Sequence, residues 1–143
     1  CEPILQASTL VKLSMDDARF LFALENDATP EEIVDRLGPF APDFIVITDG
    51  ARGAWFSNLN GERHTSPVFV PAFEVAAKEP TGAGDAFTAA IIVRLIGSGW
   101  NPLTMADARY ASAAGALTTT REGAIDSLPT GVEIQEFLDI SAS

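Results

Sequence analysis

The chain has 143 residues, of which 47% are hydrophobic, 8% aromatic and 20% charged. That suffices for one ordinary domain burying roughly two thirds of its unfolded surface, and it is too apolar for a disordered segment. Nine basic against 20 acidic residues give a formal charge of −11, which argues against a nucleic-acid or anionic-membrane partner. A small anion such as a nucleotide stays open, because backbone amides hold it without net positive charge. The longest apolar stretch, around residues 89–93, is broken by Arg94 and falls short of the roughly 20 residues a membrane span needs. No basic segment opens the chain, so no signal peptide is read, and the start at Cys1 points to a processed chain or a fragment. A single cysteine excludes an internal disulfide, and a lone His64 excludes the usual zinc spacings. A reducing cytoplasm is the expected compartment.

In chain order, Thr9–Leu13 predicts a short strand. Ser14 predicts an N-cap for a helix over Met15–Leu24, with Asp16 and Asp17 in its first turn. A second helix is predicted from Pro30, capped by Thr29 and stopped at Gly38-Pro39. Asp43–Thr48 is a continuous apolar, β-branched run, the pattern of a buried strand in a parallel sheet. Two segments, Gly53–Ser57 and Glu62–Thr65, flank an Asn60-Gly61 hairpin signal, and Val68–Val70 adds another short strand. From Gly84 onward the pattern turns helical: Asp85–Ile96 closed by Gly97-Ser98-Gly99, then Leu103–Thr119, then Val132–Leu138. The order predicts half of a layered α/β fold, a mostly parallel sheet flanked by helices and carrying a β-hairpin.

The segment with chemical content is Glu79-Pro80-Thr81-Gly82-Ala83-Gly84-Asp85-Ala86-Phe87. Pro80 biases Glu79 toward extended backbone, and the two glycines let a ligand oxygen approach the main chain. Amides at residues 83–85 would then lie at the positive end of the following helix, where an anion binds. Asp85 there could accept a proton from an attacking hydroxyl. By spacing alone, a tight turn with an acidic N-cap is the commoner meaning of such a segment, since two glycines are a weak signal. No G-x-x-x-x-G-K-[ST] loop occurs, and Phe87 stands where a dinucleotide fingerprint would need its third glycine. A second segment, Thr48-Asp49-Gly50-Ala51-Arg52-Gly53-Ala54, follows the buried strand at its carboxyl end, where ligands bind in open α/β sheets. A plain turn into the hairpin fits that segment too.

Four pieces, VKLSMDDA (11–18), VITDGARGA (46–54), PTGAGDAF (80–87) and RYASAAGALTTTREGAIDSLP (109–129), together resemble the C-terminal half of the ribokinase/PfkB carbohydrate kinase family. They stand in the family's order and spacing. The resemblance implies ATP-dependent phosphorylation of a sugar hydroxyl, with Asp85 as catalytic base and Gly82, Ala83 and Gly84 as anion hole. It places Thr48, Gly50, Arg52 and Gly53 in the loop that contacts ATP. It puts Ser112 and Gly123-Ala124 near the adenine, and Gly123 and Ser127 in a loop that completes a monovalent-cation site in many members. ATP and Mg²⁺ are implied, with K⁺ as a further ion, and Asp17, Glu79 and Ser127 are the metal candidates.

The sequence departs from the family in three places. Ser14-Met15-Asp16-Asp17 stands for the family's N-x-x-E, Glu79-Pro80 for its Asp-Thr, and Ser112 for an Asn or His. Lys12-Leu13-Ser14 leans toward fructokinase-like members. Full members are about twice as long, so the sugar-binding residues and lid are expected in an N-terminal half that acts as partner to this one. A homodimer stays open, since oligomeric state in the family often depends on that lid. A nucleotide-binding module or pseudokinase without turnover is the alternative. Outside the motifs, His64 is expected at the surface, Trp55 and Phe56 as strand packing, and Trp100 at a helix junction.

Overall fold

A computed structural model describes residues 1–121 and 128–142. The chain forms two compact units, Cys1–Phe69 and Val70–Ser143.

In the first unit, α1 (Glu2–Gln6) leads to β1 (Leu10–Ser14), α2 (Met15–Phe22), α3 (Pro30–Leu37), β2 (Phe44–Thr48), β3 (Gly53–Asn60) and β4 (Arg63–His64). Strand β1 runs parallel to β2, with Leu10 opposite Phe44 and Ser14 opposite Thr48. Strands β2–β3 and β3–β4 are antiparallel. The expected mostly parallel sheet is therefore mixed within this chain. The reason is connection length: residues 49–52 and 61–62 are too short to cross a sheet face, whereas α2 and α3 make the crossover between β1 and β2. The chain leaves the unit along β5 (Val68–Pro71), which pairs with β3.

Alternation decides the core. Val11, Leu13, Ile45 and Ile47 share one sheet face by register and pack with Leu5, Met15, Ala18, Ile33, Val34 and Leu37 from the helices. Ile33, Leu37 and Ile45 are fully buried, each worth about 1.5–3 kcal/mol of transfer free energy. Trp55 packs on this core and lies 5.1 Å from the Phe69 ring, as expected of a strand packing residue. Phe56 is buried on the opposite face of β3. His64 is half-buried, its Nε2–H donating to the Pro42 carbonyl at 2.7 Å, so it ties β4 to the loop before β2.

The hairpin turn falls one residue later than its sequence signal. Asn60 pairs with Arg63, leaving Gly61-Glu62 as the loop, with Gly61 at φ +68°. The helix α1 has no counterpart in the sequence reading; five residues give too few turns for a periodic pattern.

The second unit holds α4 (Ala83–Gly97), α5 (Met105–Thr119) and α6 (Gly131–Ser141). Small residues line the α4–α5 pairing: Ala86 and Ala90 on α4, Ala108, Ala111 and Gly115 on α5 are all buried. Helix α4 ends in a left-handed turn at Gly99 and Trp100, where the Trp100 amide donates to the Leu95 carbonyl at 2.7 Å. That makes Trp100 part of a helix end, as its position after the glycines predicted. Among the described residues no helix is long and apolar enough to cross a membrane.

Candidate active site

In the first unit the parallel strands β1 and β2 end side by side at Ser14 and Thr48. Ser14 immediately becomes the N-cap of α2: its hydroxyl accepts from the Asp17 amide at 3.0 Å, and the Asp17 carboxylate accepts from the Ser14 amide at 3.2 Å. Contact with the Ser14 hydroxyl, then with its amide, holds the Asp17 carboxyl below its ordinary value despite slight burial; Lys12 adds to the effect. Asp17 is thus a capping residue that uses one carboxylate oxygen on the Ser14 amide.

Beyond Thr48 the chain folds into one tight turn. The Asp49 amide donates to Gly53 O at 2.8 Å, and the Arg52 amide to Asp49 O at 3.1 Å. Gly50 sits at φ +54° and Gly53 at φ 138°, ψ −148°, a combination open to glycine alone. Arg52 Nε meets the Asp49 carboxylate at 3.1 Å, yet the Arg52 side chain stays 78% exposed. Such a surface pair is worth about 0–1 kcal/mol, so an incoming phosphate competes for that guanidinium at little cost. Thr48, Gly50, Arg52 and Gly53 therefore come together, with Ser14 and Asp17 at the same strand end.

In the second unit Gly82, at φ +87°, is the N-cap of α4, and no side chain caps it. The other helices of eight residues or more, α2, α3, α5 and α6, each start with a reciprocal capping box. At α4 the Ala83 amide turns back to the Pro80 carbonyl at 3.3 Å, and the Ala86 amide makes the first helical bond to Gly82 O at 2.9 Å. Among the described residues, nothing accepts from the Gly84 and Asp85 amides. Unfilled donors, a positive helix end and missing Cβ atoms at 82 and 84 are the features that anion binding at a helix start calls for. Asp85 is exposed in the first turn beside it.

The turn before α4 is held from behind. Both the Lys78 and Glu79 amides donate to the Thr119 carbonyl at the end of α5, at 2.7 and 3.0 Å. One Glu79 oxygen accepts from the Thr81 hydroxyl at 2.6 Å and the Thr81 amide at 3.2 Å. These bonds, the hydroxyl foremost, hold the Glu79 carboxyl below its ordinary value. Gly115 of α5 approaches so closely that a Cβ there would stand 3.3 Å from Ala83 O. Sequence reading passed over Thr81, Gly115 and Thr119. Gly115 had a signal: an isolated glycine inside an alanine-rich helix marks a close approach.

Ser112 lies on the buried face of α5, one turn before Gly115. Gly123, Ala124 and Ser127 lie outside the described residues. Among the described residues no three His, Cys, Asp or Glu side chains gather as a ready-made cluster. Mg²⁺ on a nucleotide needs none, since phosphates and water supply most of its oxygens and one or two carboxylates suffice. Asp17 has the hard oxygens that role asks for, one of them engaged by the Ser14 amide, while one Glu79 oxygen is taken up by Thr81.

The family model of pfkB family carbohydrate kinases matches residues 1–131, and the chain belongs to that family. It is 30% identical to Fructokinase-1 of Zea mays over 139 residues, covering 91% of this chain and 39% of that protein. A crystal structure of a fructokinase double mutant from Vibrio cholerae O395, in fructose-, ADP- and potassium-bound form, superposes with a TM-score of 0.81. That match has 30% identity and covers 95% of this chain and 42% of the other. A putative ribokinase II from E. coli, in complex with ATP and Mg²⁺, gives a TM-score of 0.78 at 25% identity over 97% and 42% of the two chains. The fold is thus ribokinase-like α/β, and the chain spans about two fifths of the relatives it matches.

Proposed function

We propose that the chain supplies the nucleotide side of an ATP-dependent sugar kinase. The amides of residues 82–85 cradle the transferring phosphoryl group, the Thr48–Gly53 turn contacts ATP, and Asp85 is the general base. The observation that carries this is the uncapped N-terminus of α4, the one long described helix that leaves its amides for something else. The E. coli neighbour holds ATP and Mg²⁺, and the Vibrio neighbour holds fructose, ADP and potassium, which supports the same ligand classes here. Bound to the nucleotide, Mg²⁺ would neutralise phosphate charge, with Asp17 as its candidate protein ligand.

In the proposed reaction the sugar hydroxyl gives its proton to the Asp85 carboxylate while its oxygen bonds to the γ-phosphorus. The bond from that phosphorus to the β-phosphate oxygen breaks, ADP leaves, and Asp85 returns its proton to solvent. Charge on the equatorial oxygens is met by the unfilled amides, which need no reorganisation at that moment. Fructose is the favoured sugar, on the Lys12-Leu13-Ser14 element and the fructokinase matches.

Asp85→Asn, in a protein joining this chain to a sugar-binding segment, tests the assignment. It keeps size and helix position but cannot take the proton. The rate constant kcat should fall by about 10²–10⁴-fold, with KM for ATP unchanged or lower. Near-normal kcat would leave Asp85 as a helix-end acid and favour a nucleotide-binding module without turnover.

A further inference from the structure

The turn that forms the cradle contains two glycines and follows a proline, a composition that by itself leaves the amides free to wander. Gly82 and Gly84 have the widest backbone freedom of any residue, and Pro80 has no amide to pin the turn from below. Yet the turn is held at defined places. Thr81, directly before Gly82, is gripped by both its donors on a single Glu79 oxygen, at 2.6 and 3.2 Å. Glu79 in turn is anchored by its amide on Thr119 O at 3.0 Å. The carboxylate thus links the end of α5 to the residue that opens the cradle.

We propose that Glu79 is a positioning residue: through Thr81 it pre-organises the phosphate-binding amides of residues 82–85. The inference rests on the nucleotide-site assignment above and deepens it. Ordering two glycines on the arrival of a phosphate costs conformational entropy; a turn ordered beforehand avoids that cost. The grip needs an acceptor oxygen at Glu79 and both donors at Thr81, and it does not need the negative charge. Glu79→Gln therefore keeps the geometry, because the amide oxygen accepts the same two bonds. Glu79→Ala removes it, and Thr81→Val removes the shorter bond.

Calorimetric titration of the 143-residue chain with Mg-ATP, and separately with adenosine, tests the proposal. Glu79→Ala and Thr81→Val should weaken Mg-ATP binding by about tenfold, the loss of one charge-assisted hydrogen bond's ordering. Adenosine, which has no phosphate, should bind all variants alike. Glu79→Gln and Thr81→Ser should restore Mg-ATP affinity to within about twofold. Equal Mg-ATP affinity in wild type and Glu79→Ala would overturn the proposal. A Glu79→Gln variant as weak as Glu79→Ala would also overturn it, by assigning the charge itself, as a cation ligand, to the role. Wild-type chain that binds neither Mg-ATP nor adenosine would overturn the nucleotide-site assignment, and the clasp with it.

Discussion

Asp107 and Glu133 carry the same capping duty in different surroundings. Asp107 accepts from Thr104 N and Thr104 Oγ1 with one oxygen, both at 3.0 Å, and from Arg94 Nε at 2.7 Å with the other. Burial works against its charge, but the Arg94 and Thr104 bonds outweigh it, so its pKa lies below the ordinary value. Arg94 also lies over the Tyr110 ring at 5.1 Å, which ties α4 to α5 through one guanidinium. Glu133 is solvent-exposed at its carboxylate and accepts from Thr130 N at 2.7 Å and from Arg121 at 2.9 and 3.4 Å. The Thr130 amide, followed by Arg121, pulls its pKa from 4.5 to about 2. A depressed carboxylate stabilises the fold above its unfolded pKa, and that contribution fades as pH falls through the folded value. Glu133→Gln should therefore lower Tm at pH 6, with the difference from wild type shrinking between pH 4.5 and 2. Calorimetric scans across that window check it. A constant Tm difference at every pH would mean the amide and guanidinium bonds do not favour the charged form.

At the scale of elements, polar side chains fix where four of the helices start. Ser14 and Thr29 are legible as caps because first-turn acids follow each, with Pro30 directly after Thr29, and the structure puts both in reciprocal boxes. Thr104 and Thr130 carry the same T-x-x-D/E signature, yet the sequence reading began those helices at Leu103 and Val132. Alanine-rich α5 and short α6 blur the point where periodicity starts. The Gly82–Asp85 turn was legible for the opposite reason, since two glycines where a cap should stand are themselves a signal. What holds the turn was not legible. Gly115 and Thr119 lie more than thirty residues away in sequence, and only the packing of α5 on α4 brings them to it. That contact makes a prediction. A leucine at 115 would set its first carbon 3.3 Å from Ala83 O, so the Ala83 backbone has to give by a few tenths of an ångström, and the rest of the side chain must still be fitted between α4 and α5. Gly115→Leu should cost about 1–3 kcal/mol by urea denaturation, the usual range for overpacking. It should also weaken Mg-ATP binding, because the displaced atom belongs to the first residue of α4. Unchanged stability would mean that α4 and α5 separate freely at this end.

For the whole molecule, the proposed roles divide the work unevenly. Each of these residues, from Asp17 and Thr48 to Glu79 and Asp85, is assigned to the nucleotide, its metal or the proton, and none to the sugar. The chain corresponds to 39% of the maize fructokinase and 42% of the fructose-bound Vibrio structure. Among the described residues, strand β1 stands at the edge of the sheet, paired with β2 alone. Ile92, Val93 and Ile96 lie along one side of α4 at 38%, 57% and 62% exposure. Phosphoryl transfer depends chiefly on positioning the acceptor against the γ-phosphate, and a hydroxyl with nothing to hold it reacts no faster than water. The purified 143-residue chain should therefore bind Mg-ATP without measurable transfer to a sugar. A coupled ADP-release assay across hexoses and pentoses measures this directly, with Asp85→Asn as the blank. Turnover near the roughly 1–100 s⁻¹ of ordinary kinases would sink the prediction and place a sugar site within these residues. Slow ATP hydrolysis that Asp85→Asn abolishes, with no sugar dependence, is the result expected of a nucleotide side lacking its acceptor.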